Sequence, residues 1–206
     1  MRPIILFDID HTLINNRKLA PLIGRHLLMK FKILGRKIFN GDWEGFRTAF
    51  KPELYALGYL ILGSAEEFSK RKGVLERGFF KPHFFRDSVF SDAVPTLKYL
   101  KDKAILGIFS QGPRSFQISK LTFSGLEKFF EKRYIFVFPP FKATRTKEVL
   151  DKLPSKKVYF VDDREDVARV LLNHKVKVFT INRDNDSPSP AGSIKVSSLE
   201  DLKKFF

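Results

Sequence analysis

Cysteine is absent from the 206 residues of this chain, and so is any apolar run long enough to cross a membrane. The first absence excludes disulfide bonds, thiolate metal sites and cysteine nucleophiles. The second predicts no transmembrane helix, because a membrane span needs about 18 or more consecutive apolar residues. The apolar run at the N-terminus is also too short for a signal peptide. We therefore expect a soluble, cytoplasmic protein with no membrane partner.

Negative charge is comparatively scarce, since 23 Asp and Glu residues face 38 Lys and Arg residues and give a formal net charge of +15. A surplus of this size attracts anions, which include phosphorylated metabolites, nucleic acids and anionic membrane surfaces. The surplus does not choose among these partners. Hydrophobic residues make up 43% of the chain, which suffices for a buried core at this length.

Short apolar runs that end abruptly at polar residues predict buried parallel strands. Patterns with helical spacing at 94–101, 147–153 and 166–172 lie between them, and Ser198 is expected to cap a last helix through Lys204. Strands that alternate with helices indicate an α/β fold built on a doubly wound parallel sheet. The predicted strands are 4–7, 105–109, 134–138, 158–161, 176–181 and 194–196.

The stretch 15–90 differs because it contains no convincing strand pattern. A long helical pattern covers 19–34, and Ser64-Ala65-Glu66-Glu67 matches a capping box that opens another helix. We interpret 15–90 as a mainly helical insertion into an α/β core formed by 1–14 and 91–206. Its first part has basic residues without acids, which we expect mostly on the solvated face of a helix, with some available to an anionic substrate: Arg17, Lys18, Arg25, Lys30, Lys32, Arg36 and Lys37.

Two acids follow the first predicted strand in Phe7-Asp8-Ile9-Asp10-His11-Thr12-Leu13. In extended chain the side chains of Asp8 and Asp10 project to the same side. Such a pair is repulsive unless a cation lies nearby or one acid is protonated. With magnesium on one oxygen of Asp8, the other oxygen can attack phosphorus while Asp10 passes a proton to the leaving group. The alternative interpretation is a pair of turn or cap acids.

Two further strands also end in polar residues. In Ile108-Phe109-Ser110-Gln111-Gly112, the hydroxyl of Ser110 and the backbone N–H groups of the turn could hold phosphate oxygens. Asp162 and Asp163 follow the strand 158–161, and Asp166 lies one helical turn after Asp162. Magnesium prefers oxygen ligands, which Asp8, Asp162 and the carbonyl group of Asp10 could supply.

A lysine near this site would offset the charge on the nucleophile and on the phosphate. Lys147, about 15 residues before Asp162, is the preferred candidate, and Lys142 is its rival. In open α/β sheets, ligands bind beyond the carboxyl ends of the strands. The polar groups above all fall at that edge, which favours one shared site over separate turns and caps.

Asp8-Ile9-Asp10-His11-Thr12-Leu13 resembles the DxDxT signature of the haloacid dehalogenase-like hydrolase superfamily. Ser110, Lys147 and the pair Asp162-Asp163 look like its second, third and fourth motifs, in the same order. The resemblance covers 1–14 and roughly 90–206. It implies a Rossmann-like core, a C1-type helical cap over 15–90, a phosphoaspartyl intermediate on Asp8 and a bound Mg²⁺ ion.

By this resemblance Asp8 is the nucleophile, Asp10 the acid/base and Lys147 the third catalytic residue. Haloacid dehalogenases lack an acid at the position of Asp10, because halide leaves without a proton. We therefore expect a magnesium-dependent phosphohydrolase acting on a small phosphate monoester. The phosphate-binding candidates are Ser110, Gln111 and Thr12, of which Thr12 matches a structural position of the motif, and the metal-ligand candidates are Asp8, Asp10, Asp162 and Asp163.

The sequence leaves two alternative functions open. A phosphomutase would use the same carboxylates but return the phosphoryl group to a substrate. A basic nucleic-acid-binding protein, or a phosphatase acting on polynucleotide ends, would account for the net charge, although no RNA-binding signature supports it.

Overall fold

A computed structural model describes residues 2–41, 82–139, 141–155, 157–183 and 189–206 of the chain. In this part of the chain six strands form one sheet: β1 (Ile4–Phe7), β2 (Ile105–Gln111), β3 (Ile135–Phe138), β4 (Val158–Asp162), β5 (Lys177–Ile181) and β6 (Ile194–Val196). Their order in the sheet is β3-β2-β1-β4-β5-β6, and every neighbouring pair is parallel. All six predicted strands are present, and the predicted α/β fold class is confirmed.

Helices connect these strands. The predicted helices at 94–101, 147–153 and 166–172 are confirmed within two residues at each end, whereas the helix Arg114–Ser124 was not predicted. The α-helices are α1 (Asn16–Phe39), α2 (Pro82–Arg86), α3 (Ala93–Leu100), α4 (Arg114–Ser124), α5 (Thr146–Asp151) and α6 (Glu165–Asn173). Short 3₁₀ helices cover Glu127–Phe129, Lys132–Tyr134, Lys142–Arg145 and Leu199–Lys204.

Ser198 caps the last of these helices as predicted, because its hydroxyl accepts the N–H of Glu200 and Asp201 completes a capping box. The helix itself is 3₁₀ rather than α.

Helices cover both faces of the sheet, which explains why its central strands are apolar without interruption. Ile5 and Phe7 of β1 belong to a buried cluster that includes Leu97 of α3 and Leu121 of α4. The alternate residues of β1 belong to a second cluster on the opposite face, with members from α5 and α6: Ile4, Leu6, Val149, Val167 and Leu171. All four residues of β1 are fully buried.

Gly107 in β2 allows the close packing of this central region. A Cβ atom at this position would lie 2.6 Å from the carbonyl oxygen of Tyr134 and 2.6 Å from a methyl carbon of Leu6. Contacts this short do not occur, so β2 requires glycine here.

The strand order places the carboxyl ends of three strands around one point. The chain proceeds outward from β1 through β2 to β3, and then returns to β4 on the other side of β1. A crevice forms where the order reverses, at the carboxyl ends of the strands, and ligands of open α/β sheets bind there. Asp8 follows β1, Asp162 ends β4, and Ser110 and Gln111 end β2.

The predicted insertion is described only at its two ends. Helix α1 confirms the helical pattern at 19–34, and the basic side chains of Arg17, Lys18, Arg25, Lys32 and Arg36 on it are exposed as expected. The capping box at Ser64 lies outside the described residues, so the helical character of 15–90 as a whole and the division into core and cap stay predictions. Among the described residues, no helix combines the length and apolar character needed to span a membrane.

Candidate active site

Asp8 lies at the carboxyl end of β1, where its backbone N–H donates to the carbonyl of Val161 in β4 at 2.9 Å. The chain then turns tightly, with the Ile9 carbonyl accepting the N–H of Leu13 at 3.0 Å and that of Ile14 at 2.9 Å. His11 has a left-handed backbone conformation within this turn (φ 55°). This turn and three other segments line a cavity of about 270 Å³. The lining residues are Asp8, Asp10, His11, Gln111, Gly112, Lys142, Asp163 and Arg164.

Lys142, not Lys147, is the lysine of this site. Its Nζ atom lies 2.8 Å from Oδ1 of Asp8 and 2.6 Å from Oδ2 of Asp162, and the side chain is fully buried. Lys147, the preferred candidate, is exposed on α5, whereas its rival Lys142 contacts both Asp8 and Asp162. Burial by itself would lower the pKa of Lys142, but the charges of Asp162 and Asp8 outweigh it and raise that pKa above its ordinary value. Lys142 is therefore an ammonium ion at neutral pH.

The local backbone explains how Lys142 reaches the interior. Phe141 has a left-handed conformation (φ 61°) and an exposed side chain, and the next residue begins the 3₁₀ helix Lys142–Arg145. The hydroxyl of Thr146 donates to the carbonyl of Ala143 at 2.7 Å and joins this helix to α5. Spacing along the chain could not reveal this reversal, because it depends on backbone geometry at one residue.

Asp8, Asp162 and Asp163 form an acidic cluster, with one carboxylate oxygen from each within 4.8 Å of the others. Burial, with added repulsion from Asp8 and Asp162, raises the pKa of Asp163 to about 8. Burial likewise raises the pKa of Asp162 to about 6, against the opposing charge of Lys142. The charge of Lys142 opposes these increases in the pKa values of Asp162 and Asp163 but does not outweigh them.

The two adjacent acids of β4 differ in what they face. Asp162 is buried, and both its oxygens are engaged, Oδ2 by Lys142 at 2.6 Å and Oδ1 by the N–H of Arg164 at 3.1 Å. Asp163 is only partly buried and lines the cavity. Asp166, one helical turn after Asp162, is exposed and pairs with Arg164 at 2.5 Å. Asp163 is thus the acid of this pair that faces an incoming cation.

This donor set fits a hard divalent cation such as Mg²⁺, which binds carboxylate oxygens. Three carboxylates converge, and repulsion from neighbouring acids adds to burial in raising the pKa values of Asp162 and Asp163. The carboxylate of Asp10 is not part of this set of cation ligands, because both its oxygens are bound by protein side chains.

Asp10 is held by two side chains of α4. Lys120 Nζ forms an ion pair with Oδ1 of Asp10, and Gln117 Nε2 donates to Oδ2 at 2.7 Å. Lys120 and Gln117 are both buried. Burial alone would raise the pKa of Asp10, but the charge of Lys120 and hydrogen bonds from Lys120 and Gln117 outweigh it and lower that pKa. Neither residue was among the predicted site residues, although Pro113 before α4 and Gly125 after it are sequence signals for that helix.

Gly112 makes room for this arrangement. It has a positive φ of 131°, and a Cβ atom there would lie 2.8 Å from Nε2 of Gln117. The same Nε2 also donates to the carbonyl of Gln111 at 2.7 Å. Gln117 therefore joins the turn after β2 to Asp10.

The phosphate-binding candidates occupy three different positions. Ser110 is fully buried at the end of β2, and its hydroxyl has no hydrogen-bond partner within the described part of the chain. Gln111 lines the cavity. Thr12 is also fully buried, and its carbonyl accepts a guanidinium N–H of Arg183 at 2.7 Å, a placement that favours its structural role.

A second cavity of about 350 Å³ adjoins the first and shares His11 and Asp163 with it. Arg17 of α1 is on its wall, so one basic residue of the predicted run lies next to the candidate site. Arg183 is on the same wall and pairs with Asp92 at 3.0 Å.

The doubly wound parallel sheet carries three carboxylates and a lysine at the point where its strand order reverses. It belongs to the class of open α/β proteins, which bind ligands at this edge. No family model matches the chain, and no curated protein matches it. Solved structures do match, and they identify the fold as that of the haloacid dehalogenase-like hydrolases.

Three of these structures illustrate the likeness. The chain is 21% identical to a HAD phosphatase from Thermococcus onnurineus, with a TM-score of 0.63, covering 100% of this chain and 97% of that one. It is 18% identical to the HAD hydrolase YfnB from Bacillus subtilis bound to magnesium, with a TM-score of 0.59 and 99% and 98% coverage. It is 18% identical to the L-2-haloacid dehalogenase from Xanthobacter autotrophicus, with a TM-score of 0.56 and 100% and 98% coverage. The similarity therefore includes both phosphatase and dehalogenase folds.

Proposed function

We propose that this chain is a magnesium-dependent phosphohydrolase that cleaves a small phosphate monoester through a phosphoaspartyl intermediate on Asp8. The fold alone leaves dehalogenation open, because the similar structures include a phosphatase and a dehalogenase.

The observation that carries the proposal is the position of Asp10. Its carboxyl group lies two residues after Asp8 and lines the same cavity. A departing halide needs no proton, whereas the alkoxide that departs from a phosphate ester does. An acid held beside the nucleophile therefore favours phosphoryl transfer.

Asp8 is suited to the role of nucleophile. Its Oδ1 atom pairs with Lys142, which leaves Oδ2 to attack phosphorus. Asp10 is ionised in the free site beside Lys120, so it must take up a proton as the negatively charged substrate binds. As the bond from Oδ2 to phosphorus forms, the bond from phosphorus to the leaving oxygen breaks, and Asp10 donates that proton to the leaving oxygen. The products of this step are an alcohol and a phosphorylated Asp8.

The second step reverses the role of Asp10. Its carboxylate removes a proton from water while the water oxygen attacks phosphorus, and the bond from phosphorus to Asp8 breaks. Inorganic phosphate leaves, the carboxylate of Asp8 is restored, and Asp10 is protonated for the next cycle.

The remaining residues would bind and neutralise the phosphoryl group. The hydroxyl of Ser110 and the backbone N–H groups of the turn at Gly112 can donate to phosphate oxygens. Asp8 and Asp163, with the carbonyl of Asp10, would hold Mg²⁺, which supplies electrostatic stabilisation of the charge on the transferring group. Asp162 fixes Lys142 rather than facing the cavity.

The proposal is tested by measuring release of p-nitrophenol from p-nitrophenyl phosphate in the presence of Mg²⁺. We expect turnover by the wild type, none by Asp8→Asn, and wild-type turnover by Asp102→Asn, which alters an exposed acid between α3 and β2. Circular dichroism should show that Asp8→Asn is folded. Turnover that persists in Asp8→Asn or in EDTA would contradict the mechanism.

A further inference from the structure

We propose that Lys120 is a positioning residue for Asp10, holding the carboxyl group in the orientation needed for proton transfer to the leaving oxygen. This inference rests on the proposed phosphohydrolase function and assigns a role to a residue outside the sequence motifs.

The contacts of Asp10 carry the inference. Lys120 engages Oδ1 and Gln117 engages Oδ2, so that both oxygens of one carboxylate are held by a single helix. A carboxylate fixed at both oxygens cannot rotate freely about its terminal bond. Proton transfer requires the acid to lie within hydrogen-bond reach of the leaving oxygen, and the orientation of Asp10 is therefore part of the catalytic geometry.

Helix α4 is itself firmly packed. Leu121 is fully buried in the core, and the ring of Phe116 meets that of Phe85 edge to face at 6.3 Å. The ammonium group of Lys120 lies 4.7 Å from the centre of the Phe116 ring. These contacts fix the position from which Lys120 reaches Asp10.

Gln117 links the acid to the phosphate-binding turn. Its amide donates both to Asp10 and to the carbonyl of Gln111, each at 2.7 Å. Helix α4 therefore sets the position of Asp10 relative to the turn expected to hold phosphate.

Burying Lys120 is also difficult to explain by stability alone. Only 3% of the residue is exposed, and desolvating an ammonium ion can offset the attraction gained from its partner. Replacement of buried ion pairs by apolar residues is often neutral or stabilising. A catalytic requirement at Asp10 gives a reason for this pair.

The test measures kcat/KM for a series of phosphate monoesters whose leaving groups range from p-nitrophenol to simple alcohols. The leaving-group dependence of kcat/KM reports proton donation in the first step, because poor leaving groups need the proton most. We compare the wild type with Lys120→Met, which keeps an unbranched apolar stem, and with Lys120→Arg, which keeps the charge. Lys128→Met serves as a control, because Lys128 is exposed and its ammonium group lies over the ring of Phe129.

We expect Lys120→Met to lower kcat/KM by about 10²-fold or more for alkyl phosphates and by less than about 10-fold for p-nitrophenyl phosphate. Lys120→Arg should recover part of the loss, and Lys128→Met should match the wild type. In an Asp10→Asn background, Lys120→Met should cause little further loss with alkyl phosphates, because its effect passes through Asp10.

An equal loss for all leaving groups, or an equally large further loss in the Asp10→Asn background, would overturn the inference. If Lys120→Met does not fold, Gln117→Met provides the same test, since it removes another hydrogen bond from α4 to Asp10. A wild type that hydrolyses none of the esters would refute the proposed function instead. If the wild type hydrolyses the esters and the variants show the same leaving-group dependence of kcat/KM as the wild type, only the role of Lys120 is refuted.

Discussion

The Nζ atom of Lys142 lies 2.8 Å from the Oδ1 atom of Asp8. The same ammonium group also reaches Asp162, so one buried positive charge serves the acids at the ends of two neighbouring strands. Without it, two buried carboxylates would face each other with no compensating charge, which is strongly unfavourable.

Replacing Lys142 by methionine should therefore affect both activity and stability. We expect kcat with p-nitrophenyl phosphate to fall by at least about 10²-fold, the scale seen when a donor to a developing anion is removed. The free energy of unfolding should fall by about 3 kcal/mol or more, because the partner charges remain buried. Steady-state kinetics and urea denaturation measure the two effects.

Lys147→Met is the matched control, because Lys147 lies five residues later and is exposed on α5. It should change kcat by less than about twofold and the unfolding free energy by no more than about 0.5 kcal/mol. A larger loss of activity in Lys147→Met than in Lys142→Met would restore Lys147 as the site lysine.

The strands could be predicted from the sequence because their burial on both faces produces a recognisable pattern of apolar residues. The strands of a parallel sheet are buried on both faces, so β1, β2 and β4 appear as uninterrupted apolar runs that end at acids or a hydroxyl. The ends of those strands identified Asp8, Ser110 and Asp162 as candidates, and the fold brings their carboxyl ends to one crevice.

Helix α4 was missed because its buried face does not follow the usual pattern. Two of its three buried residues are the polar Gln117 and Lys120, where apolar side chains would give a helical period. These residues are polar because they contact Asp10. The sequence signal therefore failed at the positions that serve the site, and the contact itself joins segments 110 residues apart.

Asp92 connects three elements near the site and should make stability depend on pH. Its carboxylate accepts from Arg183 at 3.0 Å, from the Ser198 hydroxyl at 2.8 Å and from the N–H of Leu199 at 2.9 Å. Burial disfavours its charged form, but these hydrogen bonds outweigh burial and lower its pKa. A lowered folded-state pKa means that the stabilisation is present above the unfolded-state pKa, near 3.8, and is lost as the pH falls through the folded-state value.

The variant Asp92→Asn should accordingly lose about 2 kcal/mol of unfolding free energy at pH 7. The difference between wild type and variant should shrink as the pH is lowered below about 4, because the wild type then loses the same charge. Urea denaturation at a series of pH values measures this difference. A gap that stays constant from pH 7 to pH 2 would show that the ionisation of Asp92 contributes nothing to stability.

Gly107 provides a test of packing in the central sheet. Gly107→Ala should lower the unfolding free energy by about 2 kcal/mol or more, because the added carbon would lie 2.6 Å from the backbone carbonyl oxygen of Tyr134, which cannot move aside as a flexible side chain could. Gly24→Ala is the matched control, since no atom of the described residues lies within 4 Å of a Cβ atom there and alanine favours helix α1. Thermal denaturation should show a lowered Tm for the first variant and an equal or higher Tm for the second; a reversed order would contradict the packing described here.

Magnesium should stabilise the folded protein through the acidic cluster, independently of any turnover. An ion that binds only the folded state, at a concentration of 100 times its Kd, adds about 2.7 kcal/mol to the free energy of unfolding. For a chain of this size this corresponds to an increase of roughly 5–10 °C in Tm. Asp163→Asn should abolish this increase, because it removes the carboxylate that faces the cavity. Asp166→Asn should retain it, because Asp166 is exposed and paired with Arg164 outside the cluster. Differential scanning calorimetry in EDTA and in Mg²⁺ measures each shift, and a full increase in Asp163→Asn would mean that the ion is held by other groups.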